Sequence, residues 1–395
     1  MKQVDVVIVG AGPAGLSFAR SLAGSGLSVA LVEPQPRERL ADPAFDGREI
    51  ALTHASREIM ERLGVWERID PQEISILRDA KVMNGSSPFS LTFAAHQRQA
   101  GELGWLVPNH LIRRATWQAT EGQAGLELLD GVSVTGLQPG DARTRVALSD
   151  GGELSARLVV AADSRFSATR RMMGIGAQMR DFGKTMLVCR MRHERPHHHA
   201  AWEWFGYGKT LALLPLNGER AGAVVTLPPR EAEALLALDE EGFGRAVTGL
   251  FEHRLGAMVQ DGSRHAYPLV GVYAHRFVGQ RYALIGDAAV GMHPVTAHGF
   301  NFGLQSQARL SRAVLKAAAG GRDIGDAAVL AGYQRSHRLA TRPLYEATNA
   351  VAALYTDDRL PARFVRNAAL RVANGVAPFK QAIAAHLTQR RALTR

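Results

Sequence analysis

The chain has 395 residues, with 47 Lys+Arg against 37 Asp+Glu and one cysteine. Its 46% apolar and 21% charged residues exclude a disordered chain, and Cys189 alone excludes a disulfide framework or a cysteine-based metal site. No apolar run approaches the roughly 20 residues of a membrane span, and MKQVDVVIVG is not a secretory signal, so a cytoplasmic protein of two or three domains is expected. The net charge of +10 is concentrated: from Arg335 to Arg395 eleven Lys/Arg face three acids. Nucleic acid, an anionic membrane surface, or no specific partner all suit a basic tail at this stage.

Val4–Val9 is a continuous apolar, β-branched run that predicts a strand buried on both faces. GAGPAG (Gly10–Gly15) predicts a tight turn, Leu16–Ala23 a helix, and Leu27–Val32 a second strand ending at Glu33. The mixed stretch from Pro71 to Gly101 reads as part of another domain. Leu154–Asp163 is a further buried strand ending in an acid. Between Met186 and Leu227 the runs MLVCRM, AWEWF, TLALLPL and GAVVTL predict an antiparallel sheet. Glu231–Met258 has helical composition, and Arg281–Asp287 is a third strand ending in an acid. A long helix is predicted over Gly299–Ala319, with helix from Ala327 to the end.

GAGPAG has the context of a dinucleotide fingerprint: a strand before, a helix after, and an acid closing the next strand. Gly10 permits the turn, Gly12 lets the backbone approach a pyrophosphate, and Gly15 lets helix and strand pack closely. The helix N-terminus offers N–H donors and positive potential to phosphates. Glu33, 23 residues after Gly10, is placed to accept from a ribose hydroxyl. The late strand ALIGDAA selects FAD rather than NAD, with Asp287 on the ribityl chain and Gly299–Asn301 facing the flavin pyrimidine edge.

Three motifs in order carry a resemblance to the single-component FAD-dependent aromatic hydroxylases, the group of para-hydroxybenzoate hydroxylase. They are GAGPAG with Glu33, VVAADSRFSATRR (Val159–Arg171), and GDAAVGMHPVTAHGFNFGL (Gly286–Leu304). Gly47–Trp66, Leu103–Ala115 and LALLPL are similar to the ubiquinone-biosynthesis hydroxylases, most of all to the 5-demethoxyubiquinol hydroxylase branch.

The resemblance implies an α/β fold, a Rossmann-like FAD domain with a mixed sheet, interleaved with an α+β substrate domain carrying an antiparallel sheet. The expected division is 1–70, 103–175 and 266–320 for FAD, 71–102 and 176–265 for substrate, and 321–395 for a helical C-terminal region. It implies FAD contacts at Gly10, Gly12, Ala14, Gly15, Glu33, Arg48, Asn109, Asp163, Gly286, Asp287, Gly299, Phe300 and Asn301.

The implied reaction is hydroxylation of a polyprenyl-phenol or quinol ring through a flavin hydroperoxide, with O₂ as co-substrate and NADH or NADPH docking transiently. The implied partners are an aromatic substrate with an apolar chain, a membrane surface and a quinone-biosynthesis complex, and not nucleic acid. Other readings are a flavin halogenase or polyprenyl reductase, or an FAD-bound subunit without turnover.

Departures from the pattern are informative. Ser164 replaces the glycine after Asp163, so the turn there must avoid positive φ or carry strain. Ala297-His298-Gly299 replaces Gly-Gln-Gly before the flavin, leaving His298 as a proton relay, a substrate contact or a capping residue. Pro294 and its loop are expected to floor an apolar pocket roofed by the antiparallel sheet, Leu211–Leu216 included. His197-His198-His199 reads as a solvated loop rather than a metal site. Trp202-Glu203-Trp204 resembles a halogenase motif but lacks its Ile-Pro ending, which favours an aromatic strand facing the core. In the tail, Val365, Ala369, Val372 and Val376 fall on one helical face, fit either to meet lipid or to pack on the FAD domain.

Overall fold

A computed structural model describes residues 1–85, 90–94, 101–206, 208–293 and 298–356. Three sheets order the described residues. The first has eight strands, and its centre is Lys2–Val9, parallel to Val29–Glu33 on one side and Glu153–Ala161 on the other. Leu126–Asp130 and Tyr282–Leu284 extend it in the same sense. Val6, Val7 and Ile8 are consecutive and fully buried, which requires cover on both faces and explains the unbroken apolar run. The helices Pro13–Ser21 and Gly299–Ala319 pack together beside it, and Ala327–Thr356 packs on the latter.

The second sheet has nine strands built around Ala177–His193, which pairs antiparallel with Arg220–Leu227 and with His265–Ala274. Asp79–Asn84 joins it parallel to Ala200–Phe205. One face packs on the helices Pro229–Leu236 and Glu240–Leu250, burying Leu187, Leu213, Val225 and Trp204 against Phe243 and Val247. The opposite face looks towards a small three-stranded sheet of Glu49–Leu52, Gly104–Pro108 and Ser75–Leu77.

Several expectations change. Glu231–Met258 is two helices and the start of a strand. Asp239 interrupts it, because its carboxylate accepts from the Gly242 N–H and caps the second helix. The strand expected to reach Asp287 stops at Leu284, where Gly286 turns through φ +60° into a single 3₁₀ turn. The Pro71–Gly101 stretch divides: Ser75–Leu77 joins the small sheet and Asp79–Asn84 the large one. The histidine run is not extended, since His198 and His199 both have φ +54°. His197 is buried and donates from Nε2 to the Leu216 carbonyl, 2.9 Å away, so it braces a turn instead of meeting solvent. The helix from Ala327 is described as far as Thr356, and the valine face from Val365 lies outside the described residues.

Candidate active site

The glycine turn is crowded where it closes and open where it faces outward. Gly10 has φ +103°, and a Cβ there would lie 2.7 Å from the Ala162 carbonyl oxygen. At Gly15 a Cβ would lie 2.0 Å from the Gly10 carbonyl oxygen. Neither position accepts a side chain. Gly12 precedes the helix, with Pro13 at its first position, and a Cβ there meets nothing within 4 Å. Glu33 is buried and accepts from the N–H of Ala11 at 2.7 Å and of Gln35 at 3.0 Å. Each of its oxygens keeps a lone pair for a further donor.

The other two motifs meet this turn. Asp163 accepts from Ser167 Oγ at 2.5 Å and from the Thr169 N–H at 3.1 Å, so it organises its own turn. Ser164 takes φ +76°, the strained alternative. The buried Arg170 donates to the carbonyls of Arg165 and Ala288, tying the second motif to the third. Arg165 pairs with Asp287 at 3.0 Å. Gly286 sits against Ala14, where an added Cβ would lie 3.0 Å from the alanine Cβ.

Gly299 opens the 21-residue helix, and a Cβ there also meets nothing within 4 Å. Asn301 accepts from the Thr53 N–H and donates to the Ala51 carbonyl, while Phe300 packs against the apolar cluster that contains Ile59 and Leu304. His298 is buried 5.9 Å from the Phe302 ring and stands at the N-cap of this helix, without a side-chain cap hydrogen bond. Pro294 lies outside the described residues.

Arg48 and Asn109 come together through Asp46, a residue the motif reading missed. Asp46 Oδ2 lies 2.5 Å from Arg48 Nη2 and accepts from Asn109 Nδ2 at 2.7 Å. Burial pushes the Asp46 carboxyl up, but Arg48 and the hydrogen bonds outweigh it and hold it below the usual range. One helical turn from Asn109 is Arg113, also missed. Its guanidinium feels Asp46, Arg48 and Glu33, yet makes no hydrogen bond or ion pair among the described residues. The Asn109/Arg113 spacing of four on the helix Asn109–Thr120 was the available signal.

These features fit an anionic dinucleotide. Two helix N-termini begin at glycines where an added Cβ would meet nothing within 4 Å, and a partly buried cation with no partner among the described residues feels Glu33, Asp46 and Arg48. The antiparallel sheet turns its uncovered face to the same region: Tyr267 donates to the Asp46 carbonyl, and Arg190 pairs with Glu49 at 2.7 Å. Strand alternation divides the expected roof. Leu211 and Leu213 enter the helix-covered core, leaving Ala212 and Leu214 on the inner face. Trp202 and Trp204 likewise face the core, so Glu203 does not. Among the described residues no cluster of three or more His, Cys, Asp or Glu could hold a metal.

A family model described as "FAD binding domain" matches residues 3–347, and the chain belongs to that family of flavoproteins. The solved structure of p-nitrophenol 4-monooxygenase PnpA from Pseudomonas putida superposes with a TM-score of 0.78 at 18% identity, over 99% of this chain and all of that one, and shares the fold. Ubiquinone hydroxylase UbiM of Neisseria meningitidis is 47% identical over 97% of this chain and 84% of its own length. Ubiquinone hydroxylase UbiL of Rhodospirillum rubrum is 34% identical over 98% and 89%. Within the family the chain belongs with these ubiquinone hydroxylases: it is an FAD-dependent aromatic-ring hydroxylase of ubiquinone biosynthesis acting on a small quinone precursor. No helix among the described residues is long and apolar enough to cross a membrane.

Proposed function

We propose that the enzyme hydroxylates the ring of a polyprenylated ubiquinone precursor, and that the step is hydroxylation of 5-demethoxyubiquinol. The observation that carries the cofactor side is the open backbone at Gly12 and Gly299, together with Arg113, which has no partner among the described residues. FAD, reduced by NADH or NADPH, supplies the electrons and activates O₂ for attack on an electron-rich ring.

The chain's own residues bind, orient and enclose. Gly12, Ala14 and the helix N-terminus, with Arg113, take the negative charge of the pyrophosphate, and Glu33 accepts from the ribose. Arg48 and Asn109, locked by Asp46, line the cofactor, and Asp287 receives the ribityl hydroxyls while Arg165 fixes its carboxylate. Asp163 holds the turn that brings Gly10 and Gly286 together. The N-terminus at Gly299–Asn301 puts positive potential where negative charge develops. His298 borders the ring site, and the inner face of the antiparallel sheet excludes water from it.

A polyprenyl substrate resides in a membrane, and the proposal places the enzyme at its surface. Leu339, on the last helix, is 72% exposed beside the exposed Arg335, and eight of the ten net positive charges lie from Arg335 onwards. Each Lys or Arg near an anionic surface adds about 1 kcal/mol. Co-sedimentation with anionic vesicles checks this: the full chain binds, and truncation after Ala353 weakens binding. Undiminished binding removes the tail as anchor.

Quinone profiling of a deletion strain tests the pathway step. Accumulation of the demethoxy intermediate is expected; an unchanged quinone pool rejects the assignment, and accumulation of a different under-hydroxylated precursor moves it to another ring position.

A further inference from the structure

The strand Ala200–Phe205 puts Trp202 and Trp204 into the helix-covered core, so alternation puts Glu203 on the opposite, inner face. Register defines what surrounds it. Glu203 pairs with Val82 on one side and Ala212 on the other. Beyond them the same row continues through Leu91, and through Val224 and Val188, to end at His265. Five apolar residues thus flank one carboxyl.

That carboxyl makes no hydrogen bond or ion pair with any described residue; the residue as a whole is half-buried, while the carboxyl itself is desolvated. Desolvation pushes it up to about 8. The other charged and titratable groups of this face are engaged elsewhere. Arg190, one row away, pairs with Glu49 from the facing sheet, and Tyr267 donates to the Asp46 carbonyl. His265 lies at the far end, against Phe45 and within hydrogen-bond distance of Ser263. Asp46 and Arg48, across from Tyr267, pair with each other.

A lone carboxyl in an apolar row weakens the fold, and a hydrophobic residue of similar size packs there better. Such a breach of local consistency marks a functional position. The cations nearest along this face are engaged, Arg190 by Glu49 and Lys184 by the Gly208 carbonyl, which favours a ring without a carboxylate.

We propose that Glu203 binds the aromatic substrate by its ring oxygens: its carboxyl O–H donates to one oxygen substituent, and its carbonyl oxygen accepts from the adjacent hydroxyl of an uncharged phenol or hydroquinone. Glu203 is then the polar contact that sets the ring's orientation in an otherwise greasy site and selects uncharged rings over benzoates. The inference rests on the ring-hydroxylase reading and names the substrate class of that same site.

Anaerobic calorimetry on the full-length, FAD-loaded protein tests it, with a short-chain methoxyhydroquinone as probe. Glu203→Leu weakens binding about tenfold or more, while Glu203→Gln, which keeps a donor and an acceptor, stays within about threefold. Between about pH 6 and about pH 9 the wild type loses affinity as the donor proton leaves, and Glu203→Gln does not. The infrared band of a protonated carboxyl disappears in Glu203→Gln, a readout independent of turnover. Equal affinity of wild type and Glu203→Leu at unchanged flavin content, or the same pH dependence in Glu203→Gln, overturns the proposal. The two readings separate: a wild type that hydroxylates alongside an equally active Glu203→Leu removes Glu203 alone. A yellow wild type that binds the probe by Glu203 but never hydroxylates it removes the enzymatic step and keeps the contact.

Discussion

The glycine turn of the parallel sheet and the inner face of the antiparallel sheet are proposed to serve one reaction, by opposite means. The turn works through backbone: Gly10 and Gly15 have no room for a Cβ, and Gly12 has room and leaves it open. The sheet face works through side chains, with Ala212, Leu214, Val224 and Glu203 selected by strand parity alone. Backbone chemistry tolerates few sequences and so leaves a motif. Side-chain chemistry on a sheet tolerates many, and its pattern exists only once the register is known.

The sharpest break in this comparison lies inside the turn. Gly15→Ala drives a methyl into the Gly10 carbonyl, and a loss of about 4 kcal/mol or more is expected, seen as absent or colourless soluble protein. Gly12→Ala leaves the melting temperature of the apoprotein nearly unchanged and weakens FAD binding about tenfold, read by flavin fluorescence. Equal damage from both would mean that Gly12 is structural too.

On the sheet side, Arg190→Leu strands the buried Glu49 carboxylate. A loss of about 3 kcal/mol in urea unfolding is expected, partly recovered by adding Glu49→Gln.

Much of this contrast could be read from the sequence. The strand ending at Val9, the turn, and the helix Gly299–Ala319 follow from apolar runs and glycines, and the structure has them at those places. Ser164 was legible as a position that either avoids positive φ or carries strain, and φ +76° decides for strain. The small sheet was not legible: its strands, Glu49–Leu52, Ser75–Leu77 and Gly104–Pro108, are short and far apart in the chain, and nothing local pairs them. Asp46 was hidden because its task is to join Arg48 to Asn109, 63 residues apart in sequence from itself to the latter. Glu203 was masked by its tryptophan neighbours, whose burial describes the other face of the same strand.

A smaller effect sharpens the sheet side. Burial pushes the Glu203 carboxyl up to about 8 in the folded protein, against about 4.3 unfolded. The folded state therefore keeps a proton that the unfolded chain releases, and stability falls as pH rises through that window. Glu203→Gln is expected to raise the melting temperature above about pH 8 by a few degrees and to change nothing below about pH 4. A pH-independent difference between the two proteins contradicts the raised value.

The smallest effect is at the edge of the parallel sheet. The exposed pair Lys2–Glu127 is expected to contribute under about 1 kcal/mol, so Lys2→Met leaves both flavin content and melting almost unchanged. A large loss there would mean that the edge, and not only the turn, holds the cofactor sheet together.

The most direct measurement is isotopic. Purified, FAD-loaded enzyme turns over a short-chain demethoxyubiquinol with NADH or NADPH under labelled O₂, and the product is analysed by mass spectrometry. One labelled oxygen atom in the ring per turnover is the expected result. Reductant oxidised with an unlabelled, unhydroxylated ring would contradict the account.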